Sequence, residues 1–526
     1  MSLLNTLIRL TQSANLAELG PNISKLTINE IIKALGSATP PNRGPVAKIK
    51  GIKSENGAYQ ARSVADVRRL VKLARSKKLR LRVAGSGHSD EQAVYSGRPQ
   101  DFRVVLTGDL KRKTITHRDA SGATVQVGGG CFLGINPLDR TSRTRPWTNL
   151  NQFLDRHKLA LPILGGISHQ SIAGFLQTGS AGGSLTYGLA QAIEAIDIVD
   201  GNGELRTLRG DDLNAAAVSM GLCGVVTGVT LRADPVYRVT GVERNVKEEA
   251  SLIGGKGPYL LEKAMADSDY LHLNWFPQSS VNRVTEWVGK RTYKFGKVKP
   301  YRNQLRGKRK NIAAAIALEI MDQATNIDPE HAESIISAIL NKFVPVSGPG
   351  SKSTFSDVWY DALPSDDQYE TDTLLKVILM EVWIPMDKLE EALSRLKELF
   401  EHEPGAAGYF ITELYGAKRS PFWLSPAYDR NVFRVDVFSW AHALHAQKAA
   451  RKHFKFYWDA LLDLDARLHW GKVLPKVNQQ CGKVKFNPAF LRNAYPKLPK
   501  WLEFRRGMDP NGIFLSDYWK DILGIP

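Results

Sequence analysis

Two short stretches hold the small residues best suited to gripping a charged ligand. RVAGSGHS (82–89) sets Gly85 and Gly87 around Ser86, with Val83 and Ala84 before them and His88 and Ser89 after. Glycines let a loop turn tightly and bring its backbone close to a ligand. Successive N–H groups in such a turn form a concavity that binds phosphate. A Rossmann fingerprint needs G-x-G-x-x-G opening a helix; GSGHSDE breaks that spacing, which argues against a nicotinamide cofactor, and a bare G-x-G is equally a simple turn. The second stretch, LGGISHQSIAGFLQTGSAGGSLTYG (164–188), has seven glycines and four serines. That density predicts an irregular segment rather than a helix or strand. Its apolar Ile167, Ile172, Phe175 and Leu176 predict that it is tied down. Two such loops in one domain suit a long, phosphate-bearing cofactor.

The elements that must position these loops show in the hydrophobic periodicity. In SVADVRRLVKLARSKK (63–78), Val64, Val67, Leu70, Val71 and Ala74 recur at helical spacing. LRLRVAG then reads as a strand running into the first loop. FRVVLTG, GATVQVGGG, AIEAIDIVDGNGELRTL and CGVVTGVTLRADPVYRV are β-rich, and IVD-GNG-ELRTL predicts a hairpin. From about residue 245 to 470 the strand-like runs are YLHLNWFP, RVTEWVGKRTY, LLKVILMEVWIP, GYFITELYG and NVFRVDVFSW. Helical runs lie among them at 311–326, 331–344, 386–402 and 446–464. The C-terminus reads as a helix, a DPNG turn and a short tail. Mixed strands and helices of this kind predict an α+β protein.

Bulk properties bound the rest. A chain of 526 residues predicts more than one domain. The hydrophobic share is 43% and the charged share 24%. Both are those of ordinary globular proteins. No run of about 18 apolar residues exists to span a bilayer. The N-terminus is amphipathic without a signal-peptide core; a cytoplasmic protein is expected, a mitochondrial one less so. Cys131, Cys223 and Cys481 form no metal-binding spacing, so each reads as a small buried hydrophobe and no metal is expected. The net charge is +18, concentrated in runs such as KFGKVKPYRNQLRGKRK (294–310). A solvated basic surface with weak attraction to anionic surfaces is the expectation. No zinc-finger, RRM or helix-turn-helix pattern accompanies it, so no specific nucleic-acid partner is expected.

Four stretches in order resemble the vanillyl-alcohol-oxidase superfamily of PCMH-type flavoproteins, in its aldonolactone oxidase and alditol oxidase branch. They are RVAGSGHS, LGGISHQSIAGFLQTGSAG, MGLCGVVTGVTLRADP (220–235), and LHWGK (468–472) followed by YPKLPKWLEFRRGMDPNGIFLSDYWKDILG. The resemblance implies a two-part N-terminal FAD-binding domain at 51–240 after a helical extension and linker at 1–50. It implies an α+β substrate (cap) domain with an antiparallel sheet at 241–465, and a segment, 466–526, that returns to complete the active site. FAD is the implied cofactor, joined covalently through His88, or with His88 merely hydrogen-bonding beside the ring. Residues 83–89 form the first flavin loop. Gly165, Gly166, Ser171, Gly174, Thr178, Gly179, Ser180 and Ala181 form the second, and Val226 lies on the adenine side. Gly165 is implied at the flavin edge where dioxygen approaches. Lys472 is implied near the pyrimidine, where a cation would counter the charge that a hydride brings, with His469 and Trp470 shaping the same wall.

In YFITELYGAKRS, Glu413 fits the acid of the family's Glu-x-Arg, whereas Tyr415 stands where the arginine would be. Losing a guanidinium fork removes bidentate recognition of substrate oxygens, so polyols and aldonolactones come into doubt and a less polar substrate is expected. Ala181 stands where relatives often have histidine, and CFLGINPLDRTSRTRPWTN (131–149) is a longer segment between the loops. The implied reaction is oxidation of CH–OH in a small alcohol, with hydride passing to flavin N5 and then to dioxygen, giving hydrogen peroxide. A dehydrogenase using a quinone or cytochrome, and a non-catalytic binding module of the same fold, stay open, as does the oligomeric state.

Overall fold

The computed structural model describes residues 47–526 apart from 138–144, 256, 302–313, 316, 323–324, 326–328, 366–374 and 443–444. The N-terminal extension, the basic run beyond Tyr301, part of the 131–149 segment and much of 311–326 therefore lie outside the described residues.

The helix Val64–Ser76 begins where Ser63 Oγ accepts a hydrogen bond from Asp66 N at 3.2 Å, an N-cap that satisfies a backbone donor the helix itself cannot. It buries Val67, Leu70, Val71 and Ala74, the predicted stripe. This stripe packs on a four-stranded sheet in which Leu81–Val83 and Ala58–Ala61 both run parallel to Phe102–Leu106. Leu81–Val83 leads directly into the first glycine loop.

A second, antiparallel sheet centres on Val225–Pro235, flanked by Gly122–Gly128 and Ile193–Val199. The predicted hairpin pairs Ile193–Val199 with Leu205–Leu208. Its turn is held by Asp200, whose Oδ1 accepts from Asn202 N and Glu204 N, and by Gly203 at φ +79°. An aspartate that bonds its own backbone two residues on, and a glycine at positive φ, are the usual chemistry of a tight turn.

At Val236 and Tyr237 the chain crosses into an eight-stranded antiparallel sheet. The strand order is Lys352–Val358, Arg238–Lys247, Arg283–Thr292, Tyr270–Phe276, Thr412–Ala417, Val432–Trp440, Val377–Pro385, Arg467–Leu468. Alternation divides each strand between two faces. Tyr457 on the helix Ala446–Leu461 reaches Thr412 Oγ1 at 3.3 Å. That helix therefore covers the face shared by Thr412, Leu414, Val435 and Val437. Glu413, Tyr415, Arg434 and Asp436 share the other face. The C-terminal segment then returns to the first sheets: Leu81 N donates to Ile513 O, Trp501 Nε1 to Ala215 O and Trp519 Nε1 to Ala93 O.

Three local expectations need correction. The glycine-rich 164–188 contains a helix, Ile172–Gln177, capped by Ser171 Oγ accepting from Gly174 N at 3.2 Å. One interior glycine costs about 1 kcal/mol, which the cap and the burial of Ile172, Ala173, Phe175 and Leu176 offset. The supposed C-terminal tail is a helix, Asp517–Leu523, announced by Ser516 as cap and ended by Gly524 at φ +64°. A left-handed glycine is a common helix stop. Lys113–Asp119 and Lys352–Val358 are strands that the apolar pattern missed, because most of their side chains are not buried. All three cysteines are buried and unbridged. Among the described residues no helix is long and apolar enough to cross a membrane.

Candidate active site

The two glycine loops meet. A Cβ on Gly85 would lie 2.9 Å from Ser171 Oγ, and His88 Nε2 is 2.5 Å from Nε2 of the buried His169. Between and beyond them runs a cleft of about 1160 Å³, part of it open to solvent. Residues 83–89, Ser171, Gly174, Thr178 and Val226 all line it. Gly87 has φ +86° and open space where a Cβ would stand. The loop backbone can therefore be approached closely from that side. Such a glycine-lined cleft with a histidine on its lining fits FAD.

Further lining residues escaped the sequence reading. Cβ atoms on Gly129 and Gly130 would come within 2.2 Å of Val226 O and 2.6 Å of Leu106 O; only glycine lets these strands close behind the cleft. The GGG run at 128–130 was the available signal. Arg82 holds the walls together, donating to the carbonyls of Ala93, Val94, Met220 and Phe514. Burial lowers its pKa to about 10, which leaves it charged at neutral pH.

The rest of the second loop stands away from the cleft lining. A Cβ on Gly165 would meet Gln170 Oε1 and Phe175 Cε2 at 3.0 Å, so this glycine has a packing role. Gly166 faces open space, and Gly179 takes φ +76° against Pro426 and Val218. Ser180 N donates to Phe175 O. Ala181 packs against the cluster of Trp383, Ala417, Ala427 and Val432, and its carbonyl accepts from Arg434 Nη1 at 2.7 Å.

The LHWGK turn joins cleft to sheet. Gly471 O accepts from Asp90 N at 2.8 Å, and Gly471 N donates to His469 Nδ1 at 3.1 Å. A Cβ at 471 would press on Ser89 Oγ at 2.9 Å, so glycine permits the contact. Trp470 lines the cleft. Lys472 points the other way, with Nζ 3.6 Å from Glu381 Oε1.

On the sheet face two cross-strand rows stand side by side: Glu413, Asp436, Glu381 and Tyr415, Arg434, Trp383. The Arg434 guanidinium lies 4.2 Å from the ring centres of both Tyr415 and Trp383. Its Nη2 donates to Glu381 Oε2 and Asp436 Oδ2, each at 2.8 Å. Tyr415 donates its hydroxyl to Asp436 Oδ2 at 2.6 Å. Glu413 Oε2 is 3.5 Å from His272 Nε2, and the His272 ring meets Tyr415 edge-on. Among the described residues, buried Asp436 Oδ1 accepts no hydrogen bond.

Arg434 stands directly across from Tyr415 on the neighbouring strand, so the face that carries Tyr415 holds a guanidinium, already bonded to Glu381, Asp436 and Ala181 O. Glu381, Arg434, Asp436, His272 and His169 were missed. The signal for the first three was a charge at alternate positions within apolar strands, EVWIP and FRVDVF.

Burial pushes the Glu381 carboxyl up, but His469, Arg434 and Lys472 outweigh it and bring the pKa to about 2. Opposite charge nearby favours the ionised form. His469 is itself lowered to about 4 by burial, so it is neutral at pH 7. There the Glu381 charge rests on Arg434 and Lys472. Burial, with Glu381 and Glu413 adding to it against Arg434, raises Asp436 well above the carboxylate range. Burial likewise raises Tyr415, which stays a neutral donor.

Residues 229–522 match the family model described as D-arabinono-1,4-lactone oxidase. The chain belongs to this family. It is an FAD-dependent oxidoreductase acting on a CH–OH donor. An L-gulonolactone oxidase of Scyliorhinus torazame is 22% identical over 88% of this chain and 93% of its own length. An L-gulono-1,4-lactone dehydrogenase of Mycobacterium tuberculosis is 24% identical over 88% and 94%. A cholesterol oxidase from B. sterolicum superposes with a TM-score of 0.64 at 16% identity, covering 92% of this chain and 99% of that one. This likeness shows the α+β, PCMH-type fold that the resemblance implied.

Proposed function

We propose that this member of the D-arabinono-1,4-lactone oxidase family oxidises the CH–OH group of an aldonolactone or related polyol. On this reading it holds FAD covalently through His88 and delivers electrons to dioxygen, releasing hydrogen peroxide. The observation that carries the reading is the ionic sheet face, Lys472 with Glu381, Arg434 and Asp436, tied to the glycine-lined cleft by the HWGK turn. Bound FAD supplies the hydride acceptor. Lys472 sits on the turn that joins cleft and sheet, where it would oppose charge arriving on the acceptor. Asp436 Oδ1, buried and without a hydrogen-bond partner among the described residues, would donate its proton to a substrate hydroxyl, since the raised pKa keeps this carboxyl protonated. Glu413, beside His272, would orient the reacting hydroxyl or take its proton. A polar face of this kind favours a hydroxyl-rich ring over the less polar substrate that Tyr415 alone suggested.

The test is anaerobic bleaching of the flavin by L-gulono-1,4-lactone and D-arabinono-1,4-lactone, followed by oxygen consumption. Failure of both lactones to bleach it would overturn the substrate assignment, and bleaching without oxygen uptake would overturn the acceptor. Glu413→Gln is expected to lower turnover by about 10²-fold or more while flavin content holds; unchanged turnover would remove Glu413 from the reaction.

The covalent link has its own test. His169, with Nε2 2.5 Å from His88 Nε2, would fix the His88 tautomer. Acid-precipitated wild-type protein is expected to stay yellow and His88→Ala protein to turn white, though the variant keeps bound FAD through its two loops. A yellow His88→Ala pellet would place the link elsewhere.

A further inference from the structure

We propose that the surface around residues 293–299, at the edge of the eight-stranded sheet, docks the enzyme on an anionic lipid bilayer. After the strand Arg283–Thr292 ends, Tyr293, Phe295 and Val298 are 58%, 54% and 40% exposed. Lys294, Lys297 and Lys299 alternate with them, all exposed. Three large apolar side chains exposed within six residues mark an interaction site more than a solvated loop does. The loop is anchored: Lys299 and Ser356 exchange both backbone hydrogen bonds, and Arg238 donates to Gly296 O.

A second exposed ring stands nearby. Trp147 is 46% exposed, and Arg156 lies 5.4 Å over it. Val236 N donates to Lys158 O at 2.9 Å, which brings the end of the helix Leu150–Arg156 close to Arg238. Arg238 in turn lies 5.4 Å over Phe295. Along the sequence the charge here has one sign: between Glu286 and Glu319 there are ten Lys or Arg residues and no Asp or Glu.

Basic character alone also fits nucleic acid, but the rings decide between them. Binding of single strands stacks bases on aromatic faces. Here Arg238 and Arg156 already lie over one face of Phe295 and of Trp147, so those faces are taken. Exposed rings and a valine side by side with lysines match the headgroup boundary of a bilayer. There the apolar tips enter, the lysine stems lie along them and the ammonium groups meet lipid phosphate.

The experiment uses the full-length, FAD-loaded enzyme. It is sedimented with vesicles of phosphatidylcholine alone and with about 30% phosphatidylserine, at about 0.15 M salt. Wild type is expected to bind the phosphatidylserine vesicles at least about tenfold more tightly than the neutral ones. The variant Tyr293→Ser/Phe295→Ser/Val298→Ser keeps every charge and is expected to lose about tenfold or more of that binding, with its oxidation rate on soluble substrate retained. Lys294→Gln/Lys297→Gln is expected to weaken binding and flatten its salt dependence. Wild type left in the supernatant would overturn the proposal. So would a triple variant that binds as well as wild type, or a single-stranded oligonucleotide that binds more tightly than the vesicles.

Discussion

Arg434→Met is expected to destabilise the fold by about 3–5 kcal/mol, the cost of breaking a buried ion pair by removing one partner. Arg434 holds Glu381 and Asp436 together, and all three side chains are almost wholly buried. Without it Glu381 keeps Lys472 at 3.6 Å, and Asp436 keeps no ion pair among the described residues. The pH dependence carries a sign. In wild type the folded Glu381 pKa, about 2, lies below the unfolded value of 4.5. Its contribution is therefore present above the unfolded pKa and lost as pH falls through the folded one. In the variant Glu381 loses the Arg434 cation and moves up, joining Asp436, which is already raised. A raised carboxylate favours the fold below its unfolded pKa and loses that contribution as pH rises. The stability gap between wild type and variant is thus expected to be widest near pH 7 and to narrow toward pH 5, measured by urea unfolding. Adding Asp436→Asn to the variant is expected to recover part of the loss. A gap that stays constant with pH would show that packing between Tyr415 and Trp383, not charge, is what Arg434 contributes.

Lys472→Met is expected to slow anaerobic flavin reduction by about 10²-fold, if the ammonium is worth about 3 kcal/mol in the transition state. The charge sits at the junction of the glycine-lined cleft and the sheet face, on a turn fixed by Asp90 N donating to Gly471 O. A structural explanation must be separated from an electrostatic one, because Lys472 also steadies Glu381. Lys472→Arg keeps the charge and is expected to recover most of the rate, while flavin content stays constant in both variants. Stopped-flow absorbance under argon gives the rate. Reduction as fast as wild type in Lys472→Met would exclude the residue from the chemistry.

Much of this site is legible along the chain. Hydrophobic periodicity located the helix behind the first loop, and the glycine clusters marked the cleft because backbone that close to a ligand tolerates no Cβ. The helix inside 164–188 was hidden by composition: glycine and serine counts predict irregular chain, and a cap with four buried apolar residues overrode them. The guanidinium on this face was hidden in another way. Along one strand, Tyr415 is a missing guanidinium; across the sheet, Arg434 stands beside it.

What the sequence by itself determined is which side of each strand a residue occupies, since alternation with period two follows from strand geometry. It thereby set Glu381, Trp383, Glu413, Tyr415, Arg434 and Asp436 on alternate positions among apolar neighbours, and it set the glycines where chain must pass chain. Only the tertiary structure decided which of these residues became partners. Register between strands and the meeting of His88 with His169, 81 residues apart, depend on contacts that close long loops. No local pattern encodes those, because a shift of register changes every neighbour.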